Sequence, residues 1–118
     1  MVKPHGLFGP HPLTAIGVAS AVRGKLPGVY ALGKLGDDGI FYIGYVGRSD
    51  DDLAARLQQH VLQPHPQFVY GFFETAEAAF KKECRLYHDF TPPRNKAHPA
   101  RPKGTNYPCP VPDCNELP

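Results

Sequence analysis

Two short β-forming runs, Val29-Tyr30-Ala31-Leu32 and Ile40-Phe41-Tyr42-Ile43, flank the tetrapeptide Gly36-Asp37-Asp38-Gly39. Valine, isoleucine and the aromatic residues suit a pleated, half-buried surface. Glycine and aspartate tolerate the positive φ that a tight reversal needs. An antiparallel hairpin is therefore the strongest local constraint on the chain. Centring the reversal on Asp37-Asp38 opposes Tyr30 to Tyr45. Opposed residues share a sheet face, so the two rings are expected side by side. Tyr42, an odd number of residues from Tyr45, is expected on the other face.

Downstream of the hairpin, Ser49 with Asp52 three residues on has the form of a capping box opening a helix. Asp50, Asp51 and Asp52 are then expected in its first turn, where the helix dipole favours acids. Leu53, Leu57 and Val61 supply an apolar stripe at i, i+4, i+8, and Pro64 and Pro66 end the helix. Residues 67–73 form a third strand. Thr75 caps a second helix running to about Phe90, stopped by Pro92-Pro93. Ahead of the hairpin, residues 1–11 are expected as an irregular arm. A short helix from Leu13 to Arg23 follows, ended by Gly24.

At 118 residues the chain fits one domain. Residues 1–27 form the arm and short helix, 28–95 the core, and 96–118 a tail. Eight of the fourteen prolines lie in residues 92–118, together with Arg94, Lys96, Arg101 and Lys103. That segment reads as basic and extended, and its cations could track a nucleic-acid backbone or simply be solvated. Net charge is +2, a balance that permits nucleic-acid binding without requiring it. Neither a secretion signal nor a membrane-length apolar run is visible, so the expectation is a cytoplasmic protein without a membrane partner. Three cysteines are too few for a disulfide framework. His98, Cys109 and Cys114, alone or with another histidine, could bind zinc. A reversible disulfide and unpaired thiols are the alternatives. Cys84 reads as core, and His65 and His88 as surface residues near helix ends.

Glu83 stands out. Its neighbours at −4, −3, +3 and +4 are Ala79, Phe80, Leu86 and Tyr87, all on one helical face. A carboxylate on an apolar face needs a partner: either an Arg or Tyr that bonds it, or a metal that it ligates. Arg56 and His60, at i and i+4, project from one side of the other helix. They form either a solvated face or part of a site. Arginine, tyrosine, histidine and a carboxylate together suit phosphodiester cleavage. Arginine grips phosphate oxygens, tyrosine or histidine takes a proton from water, and a carboxylate holds a divalent cation.

In order, Gly28-Val29-Tyr30, Tyr45-Val46-Gly47-Arg48-Ser49, Arg56-Leu57-x-x-His60, Glu83-x-x-Leu86 and Pro93-Arg94-Asn95 resemble the signature of the GIY-YIG endonucleases. The resemblance spans about residues 28–95. The literal Tyr42-Ile43-Gly44 offers a rival alignment, but the expected register favours Tyr45. The resemblance implies an α/β (α+β) fold with a three-stranded antiparallel sheet flanked by helices, matching the order of elements read above. It implies a DNA-cleaving enzyme using one Mg²⁺ or Mn²⁺ held by Glu83. Arg56 would position the phosphate, and Tyr30 or Tyr45 would help activate water with support from His60. Asn95 would buttress the site, with Arg48, Arg94 and Lys96 contacting nucleic acid. A catalytically weak nucleic-acid-binding module of the same fold is the alternative.

Overall fold

The computed structural model describes residues 4–112, 114 and 116. It is an α+β fold with a four-stranded antiparallel sheet in the order β1-β4-β2-β3. The strands are β1 (Phe8–Pro12), β2 (Gly28–Leu35), β3 (Phe41–Ser49) and β4 (Gln67–Phe72), and the helices are α1 (Ala15–Ala21), α2 (Leu53–Gln58) and α3 (Ala76–Phe90). The three-strand expectation thus needs a correction. Part of the supposed irregular arm is β1, paired with β4 through Phe8↔Tyr70, His11↔Phe68 and Pro12↔Gln67. Pro10 and Pro12 hide this strand in the sequence. They are tolerated because β1 lies at the sheet edge, where a missing N–H breaks no ladder.

The hairpin register also differs from expectation, twice. Its reversal spans five residues, not four: Gly39 N–H donates to the Gly36 carbonyl and Gly36 N–H to the Ile40 carbonyl. Gly39 takes φ +81°, so the loop is a turn closed by a left-handed glycine. A second shift falls between Leu32/Gly33 and Tyr45/Ile43, where Gly44 is the unpaired residue. Each shift alone flips the facing of every later side chain, and together they restore it. Tyr30 opposes Gly47, and Leu32 opposes Tyr45, so both tyrosines still occupy one face. Tyr42 sits between the two shifts, opposite Lys34. It therefore does not take the opposite face expected of it. Instead it is exposed, with its hydroxyl bonded to Asp38.

Both sheet faces are covered. On one, Tyr30, Leu32 and Phe68 pack with Val18 of α1 and with Leu53 and Leu57 of α2. On the other, Val29, Ala31, Val46 and Val69 pack with Ala79 and Leu86 of α3. Helix α1 is shorter than Leu13–Arg23, opening at the Thr14 cap and closing at Val22. Strand β3 runs through Ser49, which delays α2. Ser49 Oγ accepts the N–H groups of Asp51 and Asp52, and Asp52 is the actual N-cap, accepting from Ala55. The acidic run precedes the helix and does not fill its first turn. Helix α3 matches expectation, with Thr75 as N-cap. Among the described residues no helix is long and apolar enough to cross a membrane.

Candidate active site at the edge of strand β3

The residues singled out in the sequence come from both faces of the sheet. Tyr30, Tyr45, Arg56 and His60 belong to the α1/α2 side, while Glu83 lies on α3, beneath the other face. They approach one another around the free edge of β3, the last strand of the sheet. That edge is unusual in being capped by a side chain. Asn95 accepts the Val46 N–H through Oδ1 (2.8 Å) and donates from Nδ2 to the Val46 carbonyl (2.9 Å). It does what a neighbouring strand residue would do. Arg94 N–H adds a bond to the Gly44 carbonyl, so the segment after α3 is fastened along the edge.

Gly47 explains how the tyrosine on the central strand reaches this place. A Cβ at position 47 would lie 2.3 Å from Tyr30 Oη, so only glycine lets the Tyr30 ring pass across its cross-strand partner. The hydroxyl then meets His60 Nε2 at 2.7 Å. Burial and the nearby Tyr45 raise the Tyr30 hydroxyl far above the usual phenol range, against the pull of Arg56. Burial, then the Arg56 charge, lowers His60. The two directions agree: a hydrogen bond joins a neutral phenol to a neutral imidazole. Tyr45 stacks near both, with ring centroids 6.3 Å from Tyr30 and 5.5 Å from His60. Tyr30 is fully buried, whereas Tyr45 is only half-buried. Arg56 is exposed, gains support from the Tyr30 and Tyr45 phenols, and bonds Gln59.

A cleft of about 280 Å³ is lined by Tyr45, Gly47, Arg48, Arg56, Glu83 and Asn95, with residues 97–100 as its far wall. Tyr30 and His60 stand behind it, sheltered by Tyr45. A neighbouring cleft of about 300 Å³ shares Tyr45 and is bordered by His60, His65, Arg94 and Lys96. Arg94 and Lys96 are exposed there. His65, read as an ordinary surface residue, is half-buried in this second cleft.

Glu83 is buried and accepts from Arg48 Nη1 at 2.7 Å. Arg48 also reaches Asp50 (2.7 Å) and the Ala100 carbonyl (2.8 Å), and lies 5.5 Å above the Phe80 ring. Burial opposes the Arg48 charge, but Asp50 and Glu83 outweigh it. At Glu83 burial wins, lifting the carboxyl to about 7 despite the guanidinium beside it. The side chain of Arg48 is only 10% exposed. It is a partner of Glu83 and of the cleft wall, a role its position after Tyr-Val-Gly does not announce. Of the alternatives its sequence setting left, the arginine partner is the one observed, and Glu83 also lies in the cleft lining.

Comparison with protein families, curated proteins and solved structures returns no match.

Proposed function

We propose that this chain is a divalent-metal-dependent endonuclease of the GIY-YIG type, hydrolysing DNA phosphodiester bonds in the cleft at the β3 edge. The observation that carries the reading is the joint lining of one opening by Tyr45, Arg56, Glu83 and Asn95. These residues come from four separate segments, and the mixture of groups suits phosphodiester cleavage. Among the described residues of that lining, Glu83 is the one carboxylate. Mg²⁺ and Mn²⁺ bind through one or two carboxylates together with retained waters and phosphate oxygens, so a single buried-edge carboxylate beside an open cleft suits them. Bound there, the cation balances charge developing on the phosphate.

The chain's own groups divide the remaining work. Arg56, exposed at the rim, grips phosphate oxygens through its planar fork. Tyr45 faces the cleft, where its hydroxyl accepts a hydrogen bond from the attacking water and orients it, the water's proton passing on to bulk solvent. Arg56 lies beside that phenol oxygen and brings positive charge to the same spot. Tyr30 and His60 hold the Tyr45 ring from behind as positioning residues. Asn95 fixes the strand edge on which Tyr45, Gly47 and Arg48 are carried. Arg94 and Lys96 extend positive charge from the cleft along the path of a DNA backbone.

The test is cleavage of end-labelled duplex, flap and branched DNA in Mg²⁺ or Mn²⁺. Removing the cation, or substituting Arg56→Ala, is expected to slow cleavage by about 10²-fold or more. Full activity in both conditions would refute the proposal. The Arg48–Glu83 ion pair favours a second reading, a nucleic-acid-binding module whose carboxylate is committed to its arginine. Salt-sensitive DNA binding that persists in chelator, with no cleavage of any substrate, supports that reading over the first.

A further inference from the structure

The proline-rich tail returns to the end of α3 and brings four soft ligands together. One donor atom from each of His88, His98, Cys109 and Cys114 lies within 4.8 Å of all the others. In tetrahedral zinc sites, ligand atoms about 2.0–2.3 Å from the ion stand roughly 3.3–3.8 Å apart. The pair Cys114 Sγ and His98 Nε2 is already at 3.5 Å. Cys-x4-Cys lacks a second close pair in the sequence. The fold supplies one from two histidines, with ring centroids 5.2 Å apart.

A second observation points to a ligand independently of this clustering. His88 Nε2 is buried and has no hydrogen-bond partner among the described residues. Orphaned buried polar atoms are uncommon and call for a physical reason. The opposite nitrogens are already oriented. His98 Nδ1 meets the Pro99 carbonyl at 2.9 Å, an arrangement that places its proton there and leaves Nε2 bare. His88 Nδ1 faces the Glu116 carboxylate at 4.0 Å, and that carboxylate is anchored by the Tyr87 hydroxyl. A metal-ligating histidine characteristically has its other nitrogen directed at a carbonyl or carboxylate.

We propose that His88, His98, Cys109 and Cys114 bind one structural Zn²⁺, which staples the tail to α3 and holds residues 97–100 against the cleft. Two thiols lose their protons on binding, and the resulting thiolates balance the charge of the ion. Sulfur and imidazole donors select zinc over the hard cations, and four protein ligands leave no open position for catalysis. This centre is distinct from Glu83 and stands whether or not the chain cleaves DNA. Cys84, buried in α3 beside Cys109, is not one of the four residues whose donor atoms lie mutually within reach.

The experiment measures metal content of the full chain purified in reductant without added metal. Wild type, Cys84→Ala and Glu83→Gln are expected to carry about one zinc per chain. His88→Ala is expected to lose more than about tenfold in zinc affinity. Wild-type protein stripped and titrated with Co²⁺ is expected to show thiolate-to-metal charge transfer and tetrahedral d–d bands, both abolished by zinc. That measurement requires no variant to fold. Zinc absent from wild type and no Co²⁺ spectrum would overturn the proposal. So would iron in place of zinc, recovery of Cys109 and Cys114 as a disulfide, or zinc lost in Cys84→Ala but kept in His88→Ala.

Discussion

The two tyrosines occupy unlike environments although they share a face. Tyr30 is sealed in the core with its hydroxyl on His60, while Tyr45 meets the cleft. Tyr30→Phe is expected to cost about 1 kcal/mol in urea unfolding by removing the hydroxyl that partners His60 Nε2. Tyr45→Phe is expected to change stability by less than about 0.5 kcal/mol yet slow cleavage about 10²-fold. The reverse pattern would put the reacting phenol at Tyr30. Glu83 makes a prediction about pH. Its carboxyl is raised from an ordinary 4.5 to about 7, chiefly by burial. A raised carboxyl pKa means that the folded state binds its proton more tightly than the unfolded state does. The associated stabilisation is present below 4.5 and lost as pH rises through about 7. Melting temperatures measured without added Mg²⁺ are therefore expected to shift in favour of Glu83→Gln between roughly pH 5 and pH 8. A gap that is constant with pH, or moves the other way, would contradict the burial argument. Glu83 was legible in the sequence because an acid on an apolar helical face is conspicuous. Arg48 as its partner was not, because the contact joins residues 35 apart in the chain and no local pattern encodes it.

Among the elements, β3 organises the site, and its edge depends on Asn95. Replacing Asn95 with Ala removes both bonds to Val46. Exchange of the Val46 amide proton is expected to quicken by about tenfold or more, with α3 amides unaffected. Unchanged exchange at Val46 would show that the edge does not rely on this side chain. The hairpin shows how far element-level reading reaches. Residue types announced the two strands and their reversal, but not the extra residue at Gly39 or the bulge at Gly44. Those depend on loop closure and on the packing of the finished sheet. The shared face of Tyr30 and Tyr45 emerged because two displacements cancelled, whereas Tyr42, between them, came out on the wrong side. Strand β1 was missed for a related reason: prolines disqualify a central strand, and only the completed sheet makes Phe8–Pro12 an edge. The start of α2 moved because Ser49 was already committed to β3.

Across the whole molecule, the sheet separates two sets of groups that meet only around its edge. Tyr45 and Arg56 arrive from the α1/α2 side, and Arg48 and Glu83 from the α3 side. The tail closes the opening through residues 97–100. Residues 97–100 of the proline-rich segment are thus a wall of the cleft, where sequence pattern alone left a nucleic-acid-tracking tail and a solvated extension as alternatives. The arrangement also places Arg94 and Lys96 beside the second cleft, so that positive charge continues past the first. The central claim is that Glu83 and Arg56 act in one phosphodiesterase site, and nicking of supercoiled plasmid in Mg²⁺ tests it most directly. Wild type is expected to convert supercoiled to open-circular DNA. Glu83→Ala and Arg56→Ala are each expected to be slower by about 10²- to 10³-fold, with folding verified by circular dichroism. Nicking that survives both substitutions at the wild-type rate would contradict the account.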